Sequence, residues 1–141
     1  MWNIKFEDRL TDWVNLRESV ATDSLEVQLS KVNDWWFRAP LSNHYLHLDD
    51  IDKWPGPWNL LADNIYCEVA RAAGIVYTIF MLNNCNISSC EIISTDQGVL
   101  VSINHGQYIL NYAPKTLLNN QQSAFRILKI VDSTILQKNI S

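Results

Sequence analysis

Cysteine is the residue type in this sequence best suited to covalent chemistry, and Cys67 is the best placed of the three. Cys67, Cys85 and Cys90 include no C-x-x-C pair, so their spacing predicts neither a disulfide framework nor a cysteine zinc site. Cys67 lies early in an apolar segment, and a helix N-terminus together with an imidazole can produce a reactive thiolate. A free cysteine is also a small apolar side chain that cores bury. Cys67 is therefore a nucleophile or a packing residue, and Cys85 and Cys90 are interpreted as packing residues.

Histidines and carboxylates cluster in the segment between Pro40 and Pro55. The cluster comprises His44, His47, Asp49, Asp50 and Asp52. These residue types bind zinc and other transition metals, but a His-x-x-His pair shares one face only in a helix. The two flanking prolines favour an irregular loop. We therefore expect a hydrogen-bonded loop with an acidic edge, and we predict no metal site and no cofactor.

Tryptophan is abundant, with six residues in 141, and four of these form the third group of candidate functional residues. The four are Trp35, Trp36, Trp54 and Trp58. Adjacent residues on a helix point about 100° apart, so Trp36 can face the core while Trp35 faces elsewhere. Because tryptophan is enriched at interface hot spots, we predict that these residues contact a protein partner. Two alternatives stay open: all four are core or loop anchors, or segment 54–58 closes over a small ligand.

Length and composition predict one folded domain, residues 1–141. The chain is 48% hydrophobic and 18% charged, which is typical of a globular domain and excludes a disordered chain. A formal charge of −4 with scattered basic residues predicts no binding to nucleic acid or to an anionic membrane. The N-terminus lacks a signal-peptide pattern, and the longest nearly apolar stretch, 72–82, is too short to cross a bilayer. We therefore expect a protein that stays inside its cell.

The first half of the sequence has helical periodicity. Segments 10–17 and 25–37 carry apolar residues at helical spacing. Asp63 is the predicted N-cap of the most apolar helix, which extends over 64–82 and is apolar nearly all round. Asn83 ends this helix, because asparagine tolerates a left-handed C-cap. A helix with so little polar surface must be central.

The second half of the sequence has the period of two that is typical of strands. Short β-branched runs predict strands at 89–94, 99–104 and 107–112, with Asn104-His105-Gly106 as a hairpin turn. Segment 125–131 fits either period, and a strand is favoured. The order predicts an α+β fold in which N-terminal helices and one buried central helix pack on a small antiparallel sheet.

The order of parts from Asp63 to Pro114 resembles the transglutaminase-like core of the papain-like cysteine hydrolases. In that family a nucleophilic cysteine begins the central helix, a histidine on the following strand takes its proton, and an Asp or Asn on the next strand orients the histidine. The resemblance implies Cys67 as the nucleophile and Asn111, which precedes Tyr112-Ala113-Pro114, as the orienting residue. It covers about a third of the chain.

The family's histidine has no counterpart at the expected position. That histidine would begin the strand at 99–103, where the sequence has Asp96-Gln97-Gly98-Val99. His105 is the only downstream histidine, and it lies in the predicted turn, roughly 16–17 Å away at the rise of a strand. The resemblance therefore implies the fold rather than the activity.

A second resemblance is to small uncharacterised proteins encoded by tailed bacteriophages. It rests on the residues at 32–40, 43–47, 54–58 and 63–67. Together the two resemblances imply a phage pseudoenzyme, which keeps a transglutaminase-like fold without its chemistry. We predict a non-catalytic structural or assembly protein of the virion that acts through protein–protein contacts.

This prediction implies a setting, and it has one alternative. The expected partners are other phage or host proteins, an oligomer is compatible with the sequence, and the expected location is the virion or the host cytoplasm. The alternative is a cysteine-dependent acyltransferase or peptidase of the transglutaminase-like type. In that alternative Cys67 attacks an amide, His105 or His44 supplies the base, and Asn111 orients it.

Overall fold

The computed structural model describes residues 2–42 and 46–140, in which helices are followed by an antiparallel sheet. The α-helices there are α1 (Phe6–Val20), α2 (Leu25–Phe37), α3 (Pro57–Asp63) and α4 (Glu68–Leu82). The strands are β1 (Cys90–Thr95), β2 (Gly98–Ile103), β3 (Tyr108–Ala113), β4 (Thr116–Asn119) and β5 (Ile127–Asp132). Short 3₁₀ helices cover Leu48–Lys53, Gln122–Ala124 and Ser133–Asn139. The predicted α+β fold is confirmed.

Helix α4 is the central helix, since its residues 70–79 are all buried. Gly74 lets the Trp36 ring rest against the helix backbone, because a Cβ at this position would lie 2.5 Å from that ring. One turn later, Thr78 Oγ1 accepts hydrogen bonds from the indole N–H groups of Trp13 and Trp36, each at 2.9 Å. These contacts fix α1 and α2 against α4. Among the described helices, none combines the length and the apolar character that spanning a membrane requires.

The sheet has the strand order β4-β3-β2-β1-β5, and each neighbouring pair is antiparallel. One face packs against α2 and α4. The opposite face carries a smaller apolar cluster made of Ile93, Leu100, Ile109 and Phe125. Because β2 and β3 are antiparallel neighbours, the first residues of β2 and the last residues of β3 lie at the same end of the sheet. That end lies against the start of α4.

The start of α4 differs from the prediction. Asp63 is not its N-cap; instead Asn64 adopts the left-handed conformation, with φ 52°, and ends α3. Asparagine reaches this conformation more readily than other non-glycine residues, so a C-cap signal and an N-cap signal compete here and the C-cap prevails. The N-cap of α4 is Cys67. The cysteine therefore stands at the helix terminus and not inside the helix.

The other predicted boundaries are close to those observed. Asn83 ends α4 in the left-handed conformation, with φ 51°. The predicted strands at 89–94, 99–104 and 107–112 match β1, β2 and β3 with a shift of one residue. The ambiguous segment 125–131 contains most of β5, which confirms the strand. Strand β4 was not predicted.

Three of the four tryptophans that were predicted to contact a partner lie inside the protein. Trp35, Trp36 and Trp54 are 4%, 1% and 4% exposed, whereas Trp58 is 40% exposed. The Trp54 indole N–H donates to the His47 carbonyl at 2.8 Å, which fixes this ring as a loop anchor. Since Trp35, Trp36 and Trp54 are buried, they provide no docking surface, and Trp54 is not a lid. They are core and loop anchors, which was the alternative interpretation.

Candidate active site

Cys67 is the N-cap of α4, a position that Ser, Thr, Asp or Asn usually occupies. Its Sγ accepts hydrogen bonds from the Ala70 N–H at 3.4 Å and from the Leu46 N–H at 3.5 Å. Two N–H groups and the positive end of the helix dipole therefore face the sulfur. This is the kind of environment in which a cysteine acts as a nucleophile.

Asn111 lies near the end of β3 and binds the first turn of α4. Its Nδ2 donates to the Glu68 carbonyl at 3.2 Å and to the Val99 carbonyl at 2.8 Å, while its Oδ1 accepts from Arg71 Nε at 2.5 Å. Its own N–H donates to Asn33 Oδ1 at 2.8 Å. The residue is buried with φ 68°, where the pairing of β3 with β4 is irregular. Bulges of this kind are common beside active sites. The structure thus brings Asn111 to the helix turn that begins at the cysteine.

Arg71 follows Cys67 by one helical turn, and its N–H donates to the Cys67 carbonyl at 2.9 Å. Its guanidinium donates to Asn111 and lies over the Phe37 ring, 3.8 Å from the ring centroid. The residue is 8% exposed. Burial lowers the pKa of Arg71, and the nearby Glu68 and Cys67 act in the opposite direction. A buried cation therefore lies beside the candidate nucleophile.

Glu68 is the first residue of α4, and its carboxylate lies against the start of β2, where the family resemblance would place a histidine. Its Oε1 accepts a hydrogen bond from the Val99 N–H at 2.5 Å. Gly98 makes this contact possible, since its φ is +119° and a Cβ there would lie 2.2 Å from the same oxygen. A carboxylate, and not an imidazole, therefore lies against the first residues of this strand.

His105 lies at the other end of the β2–β3 hairpin. It is part of the turn, and its N–H donates to Ser89 Oγ at 2.9 Å. Strand β3 begins beside this turn at Tyr108, and Asn111 is three residues further along, about 10 Å at the rise of a strand. The structure therefore does not bring His105 to Cys67.

Of the two remaining histidines, the structure describes His47 alone. His44 lies outside the described residues, as do Asn43 and Tyr45. His47 has an exposed side chain and precedes the 3₁₀ helix Leu48–Lys53, which replaces the predicted irregular loop. Within residues 2–42 and 46–140, no three histidine, cysteine or acidic side chains are grouped so that they could hold a metal ion.

Three residues of this site were not identified from the sequence, namely Arg71, Glu68 and Asn33, and only Arg71 has a signal there that could have revealed it. Arg71 is the only charged residue between positions 69 and 82 of an apolar helix. A lone charge in such a run must find a partner inside the fold. Glu68 and Asn33 carry no comparable signal, because their partners lie more than 30 residues away in sequence.

A cysteine at the N-terminus of the central helix, with an antiparallel sheet that presents an asparagine to the same helix turn, defines a transglutaminase-like fold. LapG of Legionella pneumophila, a cysteine protease, has this fold and superposes with a TM-score of 0.72 at 16% identity. The match covers 91% of this chain and 76% of LapG. EGTA-treated LapG gives a TM-score of 0.70 at 17% identity, over 92% of this chain and 78% of that one. No family model matches the chain, and the comparison with curated proteins gave no match.

These comparisons correct the functional prediction. The prediction of a non-catalytic phage structural protein is wrong, because the structural neighbours are a cysteine protease and nothing indicates a virion role. Neither a phage origin nor the interpretation as a pseudoenzyme has support. The transglutaminase-like fold is confirmed. The expectations about partners and location remain predictions.

Proposed function

We propose that this protein is a cysteine-dependent peptidase or acyltransferase of the transglutaminase-like type, with Cys67 as its nucleophile. The observation that carries the proposal is the position of Sγ, which caps α4 and accepts hydrogen bonds from two backbone N–H groups. The likeness to LapG supports it at the level of the fold. The predicted site residues Cys67 and Asn111 meet at the same helix turn, and His105 is left out.

The proposed reaction begins with attack of the Cys67 thiolate on an amide carbonyl carbon. An S–C bond forms, the C–N bond breaks, and the amine leaves with a proton taken from water. Water then attacks the thioester in a peptidase, or a second amine does so in an acyltransferase. The S–C bond breaks, the acyl group departs as a carboxylate or a new amide, the attacking water or amine gives its proton to the hydroxide left by the first step, and the thiolate is regenerated.

Asn111 has a different role here from the one that the resemblance implies. Both Nδ2 hydrogens are used, by the Glu68 and Val99 carbonyls, and Oδ1 accepts from Arg71. An amide so engaged holds the first turn of α4 against β2 and β3. Asn111 therefore positions the helix terminus that carries Cys67, and it does not need an imidazole partner to do so.

The proposal is tested by the reactivity of the three thiols in the native protein. Iodoacetamide labelling at pH 7, followed by peptide mass spectrometry, should modify Cys67 faster than the exposed Cys85, although Cys67 is 6% exposed. The native protein should also cleave a mixed-sequence peptide library or transfer acyl groups between its members. Cys67→Ser should remove both activities, and Cys85→Ser should keep them. Protection of Cys67 from labelling until the protein unfolds would contradict the proposal.

A further inference from the structure

We infer that Arg71 is the positioning residue that provides the counter-charge of the Cys67 thiolate and holds Asn111 in place. The inference rests on the proposed function and deepens it, because it names the group that favours the nucleophilic form of Cys67. It is carried by the geometry around the guanidinium and by the lack, among the described residues, of a carboxylate in ion-pair contact with it.

The geometry places the Arg71 side chain on the same side of α4 as Cys67. Residues four apart lie one above the other on a helix, and side chains tilt toward the helix N-terminus. The Arg71 N–H donates to the Cys67 carbonyl at 2.9 Å. Its Nε donates to Asn111, which in turn donates to the Glu68 carbonyl in the first turn. The guanidinium is therefore held beside the helix terminus.

Arg71 is buried, and no carboxylate of residues 2–42 and 46–140 is in ion-pair contact with it. The ion pairs found in the described part of the chain are Lys31–Asp23 and Lys129–Asp49, and neither involves Arg71. Glu68 is the acidic group that acts on it, but its Oε1 is bound to the β2 backbone. Burying a charge is costly unless an opposite charge or several acceptors compensate. A thiolate at Cys67 would supply that opposite charge.

The contacts that the Arg71 guanidinium makes with other described elements are with uncharged groups. Helix α2 contributes the Phe37 ring, and β3 contributes the Asn111 amide. On α4 itself, Glu68 and Cys67 are the titratable groups that act on it. Because Glu68 is bound to the β2 backbone, Cys67 is the neighbour whose negative form this cation would stabilise.

Arg9 shows what a purely structural arginine looks like in this protein. It is also 8% exposed, but its guanidinium donates to the carbonyls of Leu61, Ile4 and Ala62. Those backbone acceptors engage all three of its nitrogens and join α1 to α3. Among the described residues, the Arg71 guanidinium makes one hydrogen bond, to the Asn111 side chain, and lies over the Phe37 ring. The contrast makes Arg9 a matched control.

The test measures the pH dependence of Cys67 alkylation, which needs no substrate. In Arg71→Met, which removes the charge, we expect the labelling rate at pH 7 to fall about tenfold and its pH midpoint to rise by about one unit. Arg71→Lys keeps a charge but loses the Nε contact, so it should restore part of the rate. Arg9→Lys should lower the melting temperature and leave the pH midpoint of Cys67 labelling unchanged.

The outcomes separate this inference from the proposed function. An unchanged pH profile of Cys67 in folded Arg71→Met overturns the role of Arg71, even if the native protein remains an active cysteine enzyme. A wild-type Cys67 that no reagent reaches overturns the proposed function itself. If Arg71→Met does not fold, the comparison of Arg71→Lys with Arg9→Lys decides, since only the former should shift the profile.

Discussion

Cys67 and Cys90 are buried to nearly the same depth, 6% and 4% exposed. The surroundings of Cys67 favour a negative charge on sulfur, whereas those of Cys90 disfavour it. Cys67 caps α4 and faces two backbone N–H groups. Cys90 begins β1, where burial raises its pKa to about 12; a contact with Ser133 opposes the shift, and Glu91 and Asp132 add to it. The depth of burial therefore does not decide whether a thiol can react. The orientation of the nearest dipoles does.

The largest expected effect is the difference between Cys67→Ala and Cys90→Ala in catalytic activity and in the free energy of unfolding. Cys67→Ala should abolish acyl transfer or peptide cleavage, a loss of at least about a thousandfold, and change the free energy of unfolding by about 1 kcal/mol. Cys90→Ala should keep the activity and cost about 1–2 kcal/mol, because it opens a small cavity under β1. Turnover and urea unfolding on both variants measure the two effects. Equal activity in the two variants would break the comparison.

The next effect concerns the alkaline stability that Cys90 contributes. Since the folded pKa of Cys90 is about 12 and an unfolded thiol has a pKa of about 8.5, the folded state keeps a proton that the unfolded state loses between these values. The contribution is fully present below pH of about 8.5, and it is lost as the pH rises toward 12. At pH 10.5 the loss amounts to about 3 kcal/mol.

Urea unfolding of wild type and Cys90→Ala between pH 8 and 11 measures this loss as a difference, so other titrating groups cancel. The difference should shrink as the pH rises. Cys85→Ala is the matched control for removal of a thiol, because Cys85 is exposed. A difference for Cys90→Ala that stays constant across this range contradicts the expected burial effect.

A third effect tests whether a new negative charge on β3, at Asn111, lowers the reactivity of Cys67. Asn111→Asp places a carboxylate where Oδ1 now accepts from Arg71 and removes the donors to Glu68 and Val99. The new ion pair should withdraw the cation from Cys67, so the rate of Cys67 alkylation at pH 7 should fall about tenfold. Cys90 should stay unreactive. A rate equal to that of the wild type would show that Cys67 does not depend on this network.

Local signals in the sequence were sufficient for much of the fold. Asn83 as a left-handed C-cap and Asn104-His105-Gly106 as a hairpin turn both depend on residues whose backbone preferences are strong and short-range. The start of α4 was missed because Asn64 ends α3 and the N-cap is a thiol, which propensity does not favour. Strand β4 was missed because four residues carry no clear period.

The site was less accessible to sequence reasoning, for a physical reason. The resemblance identified Cys67 and Asn111, and the structure brings both to one helix turn. The contact between Arg71 and Asn111 joins residues 40 positions apart, and the contact between Glu68 and Val99 joins residues 31 apart. Such pairs follow from the antiparallel order of β2 and β3 beneath α4, which no local pattern encodes.

The smallest expected effect is at His105, and it sharpens the comparison between the two thiols. His105 lies in the hairpin turn with φ 55°, a conformation that asparagine adopts more readily than histidine. His105→Asn should therefore keep the stability or raise it by a few tenths of a kcal/mol, and the Cys67 alkylation rate should stay within about twofold of wild type. The reason is distance, since the turn and the start of α4 lie at opposite ends of β3. A large loss of Cys67 reactivity in this variant would show that an imidazole activates the thiol after all, and Arg71 would then be a structural residue like Arg9.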